Sequence, residues 1–80
     1  MHYVYRLRSQ SHPAFEYTGC TGNLKGRLSQ HNSGQVASTS RFRPLLLLFY
    51  AGFEDKSRAF AFERYLKTGS GKAFARKRLW

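Results

Sequence analysis

The stretch Tyr17-Thr18-Gly19-Cys20-Thr21-Gly22-Asn23-Leu24-Lys25-Gly26-Arg27-Leu28-Ser29-Gln30-His31-Asn32-Ser33-Gly34 decides how this chain folds. It reads as the end of a strand, a tight turn and then a helix. Thr21 is the expected N-cap, because its hydroxyl can accept from a free amide of the first turn. Leu24, Arg27, Leu28 and His31 fall at i, i+3, i+4 and i+7, so they share one face. Asn32-Ser33-Gly34 is a stop signal, with Gly34 suited to the left-handed position after the last turn. An arginine and a histidine one turn apart on an inward-turning face point to the handling of phosphate.

Working outward, His2 to Arg8 alternates. Tyr3, Tyr5 and Leu7 face one way and His2, Val4, Arg6 and Arg8 the other. Pro13 breaks the following loop, and Phe15 to Cys20 forms a second strand, most simply the partner in an antiparallel hairpin. Gln35 to Arg43 is polar loop ending at Pro44. Leu45 to Phe53 is an apolar run whose length fits a strand covered on both faces, although periodicity alone leaves a buried helical segment open. Asp55 is the expected cap of a second helix, in which Ala59, Phe62, Glu63 and Leu66 share a face. Thr68-Gly69-Ser70-Gly71 breaks that helix, and Lys72 to Leu79 forms a short basic one. The predicted order is β-β-α-β-α-α: an α+β fold in which a small antiparallel sheet carries packed helices.

The 80 residues fit one domain with a modest core, assisted by seven Phe, five Tyr and one Trp. Fourteen Lys and Arg against four Asp and Glu give a net charge of +10, which favours a polyanionic partner. Nucleic acid, with DNA ahead of RNA, is expected before an anionic membrane. Leu45 to Tyr50 is too short to cross a bilayer. The single Cys20 cannot form an internal disulfide, and no apolar signal segment precedes the first strand, so a reducing, cytoplasmic setting is expected.

Only Glu63 among the four carboxylates lacks an immediate local explanation. Glu16 lies on a strand face opposite Phe15 and Tyr17, and Glu54 and Asp55 open a helix. Glu63 sits mid-helix on an apolar stripe and requires a partner, either a basic side chain or a divalent cation. Arg27 could pair with Glu63 or a helix end, or clamp a phosphate with two donors. His31 could be a satisfied core histidine or a proton-transfer group. Tyr5 and Tyr17 taken singly would be strand packing residues. Taken together, two strand tyrosines, Arg27, His31 and Glu63 are the parts of metal-assisted phosphodiester cleavage.

In these residues the chain resembles the GIY-YIG nuclease family. Tyr3-Val4-Tyr5 stands for the first motif and Tyr17-Thr18-Gly19 for the second. Asn23-Leu24, Arg27-Leu28, His31-Asn32 and Gly34 follow at the family's spacing. Ala61-Phe62-Glu63-Arg64-Tyr65-Leu66-Lys67 is similar to its glutamate helix, and Gly69-Ser70-Gly71-Lys72-Ala73-Phe74 to the segment after it in small bacterial single-domain members related to the nuclease domain of the excision-repair incision subunit. The resemblance spans essentially all of residues 1–80. It implies a three-stranded antiparallel sheet flanked by helices and cleavage of DNA dependent on Mg²⁺ or Mn²⁺. It also implies Tyr5, Tyr17, Arg27, His31 and Glu63 as catalytic residues, with Glu63 as metal ligand. Tyr3 replaces the first motif's glycine, Thr18 replaces an isoleucine, and no asparagine follows Glu63 where many members have one. Either Ser70 or a backbone group takes that place, or activity is reduced.

With one suitable carboxylate, a single cation held by Glu63, water and the substrate phosphate is expected. Tyr5 would be the general base toward water, with His31 accepting the phenolic proton, Arg27 neutralising phosphoryl charge and Tyr17 orienting water or phosphate. Lys25, Arg41, Arg43, Lys72, Arg76 and Lys77 would contact the DNA backbone, giving salt-sensitive affinity with little sequence information. Structure-selective or weakly specific cutting is therefore expected, in repair or recombination and on branched or damaged DNA. Two alternatives keep the fold: a non-catalytic nucleic-acid-binding module, and a nuclease subunit that requires a partner protein.

Overall fold

The computed structural model describes residues 1–80. Three strands, β1 (His2–Ser9), β2 (Glu16–Thr21) and β3 (Leu45–Phe53), form an antiparallel sheet in the order β2-β1-β3. Three helices, α1 (Leu24–Asn32), α2 (Lys56–Leu66) and α3 (Gly69–Arg78), complete the expected β-β-α-β-α-α order, with one 3₁₀ turn at Ser40–Phe42 inside the loop.

The alternation of β1 divides the core in two. Val4 packs with Ala59, Leu66 and Ala75 beneath α2 and α3. Tyr5 and Leu7 pack with Leu45 on the other face, against Tyr17, Leu24, Leu28 and Phe42. Central placement explains why Val4, Tyr5 and Leu7 are all essentially inaccessible. Asn32 fixes α1 to β3: its Oδ1 accepts from Leu45 N at 2.8 Å and its Nδ2 donates to Leu45 O at 3.1 Å.

Several expectations need correction. The cap of α1 is Asn23, whose Oδ1 accepts from Gly26 N at 3.1 Å. Thr21 ends β2 and instead accepts from Asn23 N, so its hydroxyl shapes the turn before the helix. β2 starts at Glu16 rather than Phe15. β3 is an edge strand with Leu46, Leu47 and Tyr50 exposed, not a strand covered on both faces. Its apolar run reflects partial cover on each side, and Leu48 is an unpaired bulge residue, because Arg6 faces Phe49 while Leu7 faces Leu47. The break after α2 is shorter than expected. Thr68 caps α3 through a bond from Gly71 N at 3.0 Å, so Gly69, Ser70 and Gly71 are its first turn and α3 begins at Gly69, not Lys72. Gly34 has φ +85° and ends α1 as expected.

Gly71 is where α3 meets the end of α2. A Cβ there would lie 1.7 Å from Tyr65 O and 2.9 Å from Leu66 Cα, both backbone atoms that cannot turn aside. Gly71→Ala is expected to lower stability by about 3 kcal/mol, the upper range for overpacking. Gly69→Ala, where a Cβ meets nothing within 4 Å, is expected to be neutral or slightly stabilising. Urea unfolding midpoints of the two variants check the contrast.

Candidate active site

β1 and β2 set Tyr5 opposite Gly19. A Cβ on residue 19 would lie 2.5 Å from the Tyr5 hydroxyl and 3.0 Å from Tyr17 Cε2, so glycine is what lets both rings lie against β2. The rings of Tyr5 and Tyr17 stand 6.3 Å apart, and each meets the His31 ring edge-on, at 5.7 and 5.1 Å. The helical spacing of α1 delivers His31 to this point and Arg27 one turn earlier.

His31 is wholly buried and bonded through both ring nitrogens. Nε2 lies 2.8 Å from the Tyr5 hydroxyl and Nδ1 lies 2.8 Å from Thr39 Oγ1. Thr39 Oγ1 is also 3.4 Å from Val36 O, which can only accept. One tautomer satisfies the whole chain: Tyr5 donates to Nε2, Nδ1–H donates to Thr39, and Thr39 donates to Val36 O. Neither ring nitrogen is left free, and the group that His31 meets on the sheet is the Tyr5 phenol.

Burial lowers the His31 pKa, and the nearby Arg27 charge lowers it further, so the imidazole is neutral near pH 7. Burial raises the Tyr5 pKa; Arg27 opposes that shift, while Tyr17 and Glu63 add to it. Arg27 stands beside the Tyr5 phenol, which raises its own pKa, and its Nη1 donates to Gln30 Oε1 at 3.0 Å. Arg27 therefore partners neither Glu63 nor a helix end.

Glu63 approaches from α2, across the sheet from α1, near enough for its charge to raise both Tyr5 and Cys20. The Cys20 thiol is raised chiefly by burial, which argues against a reactive thiolate. Glu63 Oε2 accepts from Lys67 Nζ at 3.0 Å, an i,i+4 pair, and Oε1 has no protein donor. No group of three or more His, Cys, Asp or Glu side chains gathers in the protein. That donor set does not make an all-protein cage. It does fit a hard cation such as Mg²⁺, which binds through one or two carboxylates and keeps several waters.

The six basic residues expected to meet DNA do not form one surface. Lys72 and Arg76 lie one turn apart on α3 and line a cleft with Arg6 and Trp80. Lys77 is exposed on α3. Lys25 lines a separate shallow pocket with Tyr3 and Asn23. Arg41 and Arg43 lie beyond the other face of the sheet, where Phe42 stacks on Phe15 at 3.8 Å. Arg43 Nε donates to Ser40 O at 2.6 Å and its guanidinium lies against Gly34, so it also braces the loop. Thr39 went unread in the sequence, since nothing distinguishes it among Ser38, Thr39 and Ser40.

The sequence model of the GIY-YIG catalytic domain matches residues 1–78. The chain belongs to the GIY-YIG family. Among GIY-YIG-related sequences, it is 46% identical over 59 residues to a UPF0213 protein of Pediococcus acidilactici, covering 70% of this chain but 60% of that protein, less than two thirds of its length. It is 40% identical over 68 residues to a UPF0213 protein of Clostridium perfringens (84% of this chain, 71% of the relative). A third UPF0213 protein, from Staphylococcus haemolyticus, is 37% identical over 70 residues (86% and 83%). The matched model is that of a catalytic domain. No helix is long and apolar enough to cross a membrane.

Proposed function

We propose that residues 1–80 act as a single domain, a metal-dependent DNA endonuclease that hydrolyses phosphodiester bonds with structure selectivity or weak sequence preference. The observation that carries the reading is the buried Tyr5–His31–Thr39 chain beside Arg27, with Glu63 on α2 near enough for its charge to act on the same phenol. A divalent cation held by Glu63, when bound, would supply Lewis-acid stabilisation of charge at the scissile phosphate.

The protein's own groups do the rest. Water gives a proton to Tyr5 as its oxygen attacks phosphorus, the phenolic proton passes to His31 Nε2, and the bond from phosphorus to the 3′ oxygen breaks, the leaving oxygen taking a proton from solvent. Thr39 Oγ1 accepts from Nδ1–H and keeps the imidazole oriented. Arg27 neutralises charge building on the phosphoryl oxygens. Tyr17 orients the phosphate or the water.

The protein is expected to nick plasmid and branched DNA in Mg²⁺ or Mn²⁺ and to be silent in chelator. Absence of an asparagine after Glu63 favours one competing reading. DNA binding without nicking under every condition would identify a non-catalytic module, and nicking only after a second protein is added would identify a subunit.

A further inference from the structure

Two clefts adjoin the β2 edge and share three walls. One, of about 350 Å³, is lined by Arg6, Arg8, Glu16, Lys72, Arg76 and Trp80 around Leu48. The other, of about 330 Å³, is lined by the same Arg6, Glu16 and Lys72 together with Tyr17, Thr18 and Lys67. Lys67 is bonded to Glu63, and Tyr17 faces His31. The clefts therefore adjoin, and together they form a surface channel with Trp80 at one end and Tyr17 and the Glu63-bound Lys67 at the other.

We infer that this channel binds an unpaired stretch of DNA, a single-stranded flank of the strand being cut. The inference rests on the nuclease reading and narrows its substrate class. Size is the first argument. Each cleft is near the lower end of the range for small-ligand pockets, about 300–1,000 Å³, so it can take a nucleotide unit but not a duplex. Charge is the second. Arg6, Arg8, Lys67, Lys72 and Arg76 line the path. Of the two carboxylates beside it, Glu16 is held by Arg6 and Glu63 by Lys67.

Composition is the third argument, because cationic walls with an aromatic ring are how proteins follow single strands. Arg6 is fixed at the centre. Its Nη1 donates to Thr18 Oγ1 at 2.6 Å, and its Cζ lies 4.7 Å from the Trp80 ring centroid. Its Nε is the one buried side-chain polar atom without a hydrogen-bond partner. Lys72 and Arg76 are exposed and, four residues apart, project from one side of α3. They contribute nothing to the core, so the fold does not account for their placement.

Trp80 is the only tryptophan, so its emission reports on the channel directly. The test titrates the protein in chelator with oligothymidylate and with a fully paired hairpin. The single strand is expected to change Trp80 emission and to bind at least about fivefold more tightly than the hairpin. The double reversal Lys72→Glu/Arg76→Glu is expected to weaken single-strand binding at least about tenfold and to flatten the log–log salt slope by about 0.7 per lost contact. Arg58→Glu, an exposed α2 side chain that lines neither cleft, is expected to change it less than about twofold.

Unchanged single-strand affinity in the double reversal, or equal affinity for the hairpin with silent Trp80, would overturn the channel. A parallel cleavage assay separates the two ideas. Intact nicking of paired DNA with no single-strand preference removes the channel and leaves the nuclease. Channel binding with no nicking of any substrate in Mg²⁺ or Mn²⁺ removes the nuclease and leaves the channel.

Discussion

Glu63→Ala is expected to reduce metal-dependent strand cleavage by about a hundred- to a thousandfold, the scale of losing one centre of transition-state charge stabilisation. Folding and most DNA binding are expected to survive. The reason lies in what Glu63 does for the fold. Its single ion pair, with the half-exposed Lys67, is of the i,i+4 kind, worth about 0.3–0.5 kcal/mol on a helix surface. Lys67→Met removes the same ion pair, so it separates the two roles. If Glu63 served only to hold Lys67, the two variants would match. As a metal-binding carboxylate, Glu63 should be indispensable, while Lys67→Met should keep most cleavage and its metal requirement. Nicking rates with and without chelator, beside unfolding curves for both variants, make the comparison. Metal-dependent cleavage retained by Glu63→Ala would remove Glu63 from the site.

Local chemistry made much of this legible in the sequence. The i, i+3, i+4, i+7 pattern of Leu24, Arg27, Leu28 and His31 delivers two polar side chains to the place where β1 and β2 bring two tyrosines. Gly34 and Asp55 mark their helix ends because a positive φ and an oxygen acceptor are properties of the residues themselves. What escaped reading depends on tertiary partners. Thr21 and Asn23 are both good capping residues, and only the length of β2 decides between them. The run Leu45 to Phe53 looks the same in sequence whether the strand is central or at an edge. Gly69 and Gly71 look like a breaker until α3 closes on Tyr65. Thr39 acquires its role by meeting His31 eight residues away, through a loop with no period to betray it.

The second large effect belongs to Tyr5. Tyr5→Phe is expected to slow cleavage by about 10²–10⁴-fold, the range for a positioned general base. It also leaves His31 Nε2 without its partner in a buried place, at a stability cost of about 1–3 kcal/mol. A tyrosine with its pKa raised by burial is a poor base if it must hold a negative charge in the resting protein. Its neighbour changes that: neutral His31, 2.8 Å away, takes the phenolic proton as Tyr5 takes one from water. The pH profile follows from the two shifts. Between the two shifted values both groups of the relay are neutral, so the rate should be level across neutral and mildly alkaline pH. It should fall at acid pH, where His31 is protonated and can accept nothing; its lowered pKa puts that limb below the usual value of about 6.5.

Stability carries the same signs. His31 favours its neutral form in the folded state, so its contribution is full above about pH 6.5 and is lost as pH falls through the lowered value. Tyr5 favours its protonated form, so its contribution is full below about pH 10 and is lost as pH rises through the raised value. Thr39→Val keeps the shape and removes the Nδ1 acceptor, so it should move the acid limb, while Tyr5→Phe should lower the level rate across neutral pH. A neutral-pH rate left intact in Tyr5→Phe would show that another group activates the water.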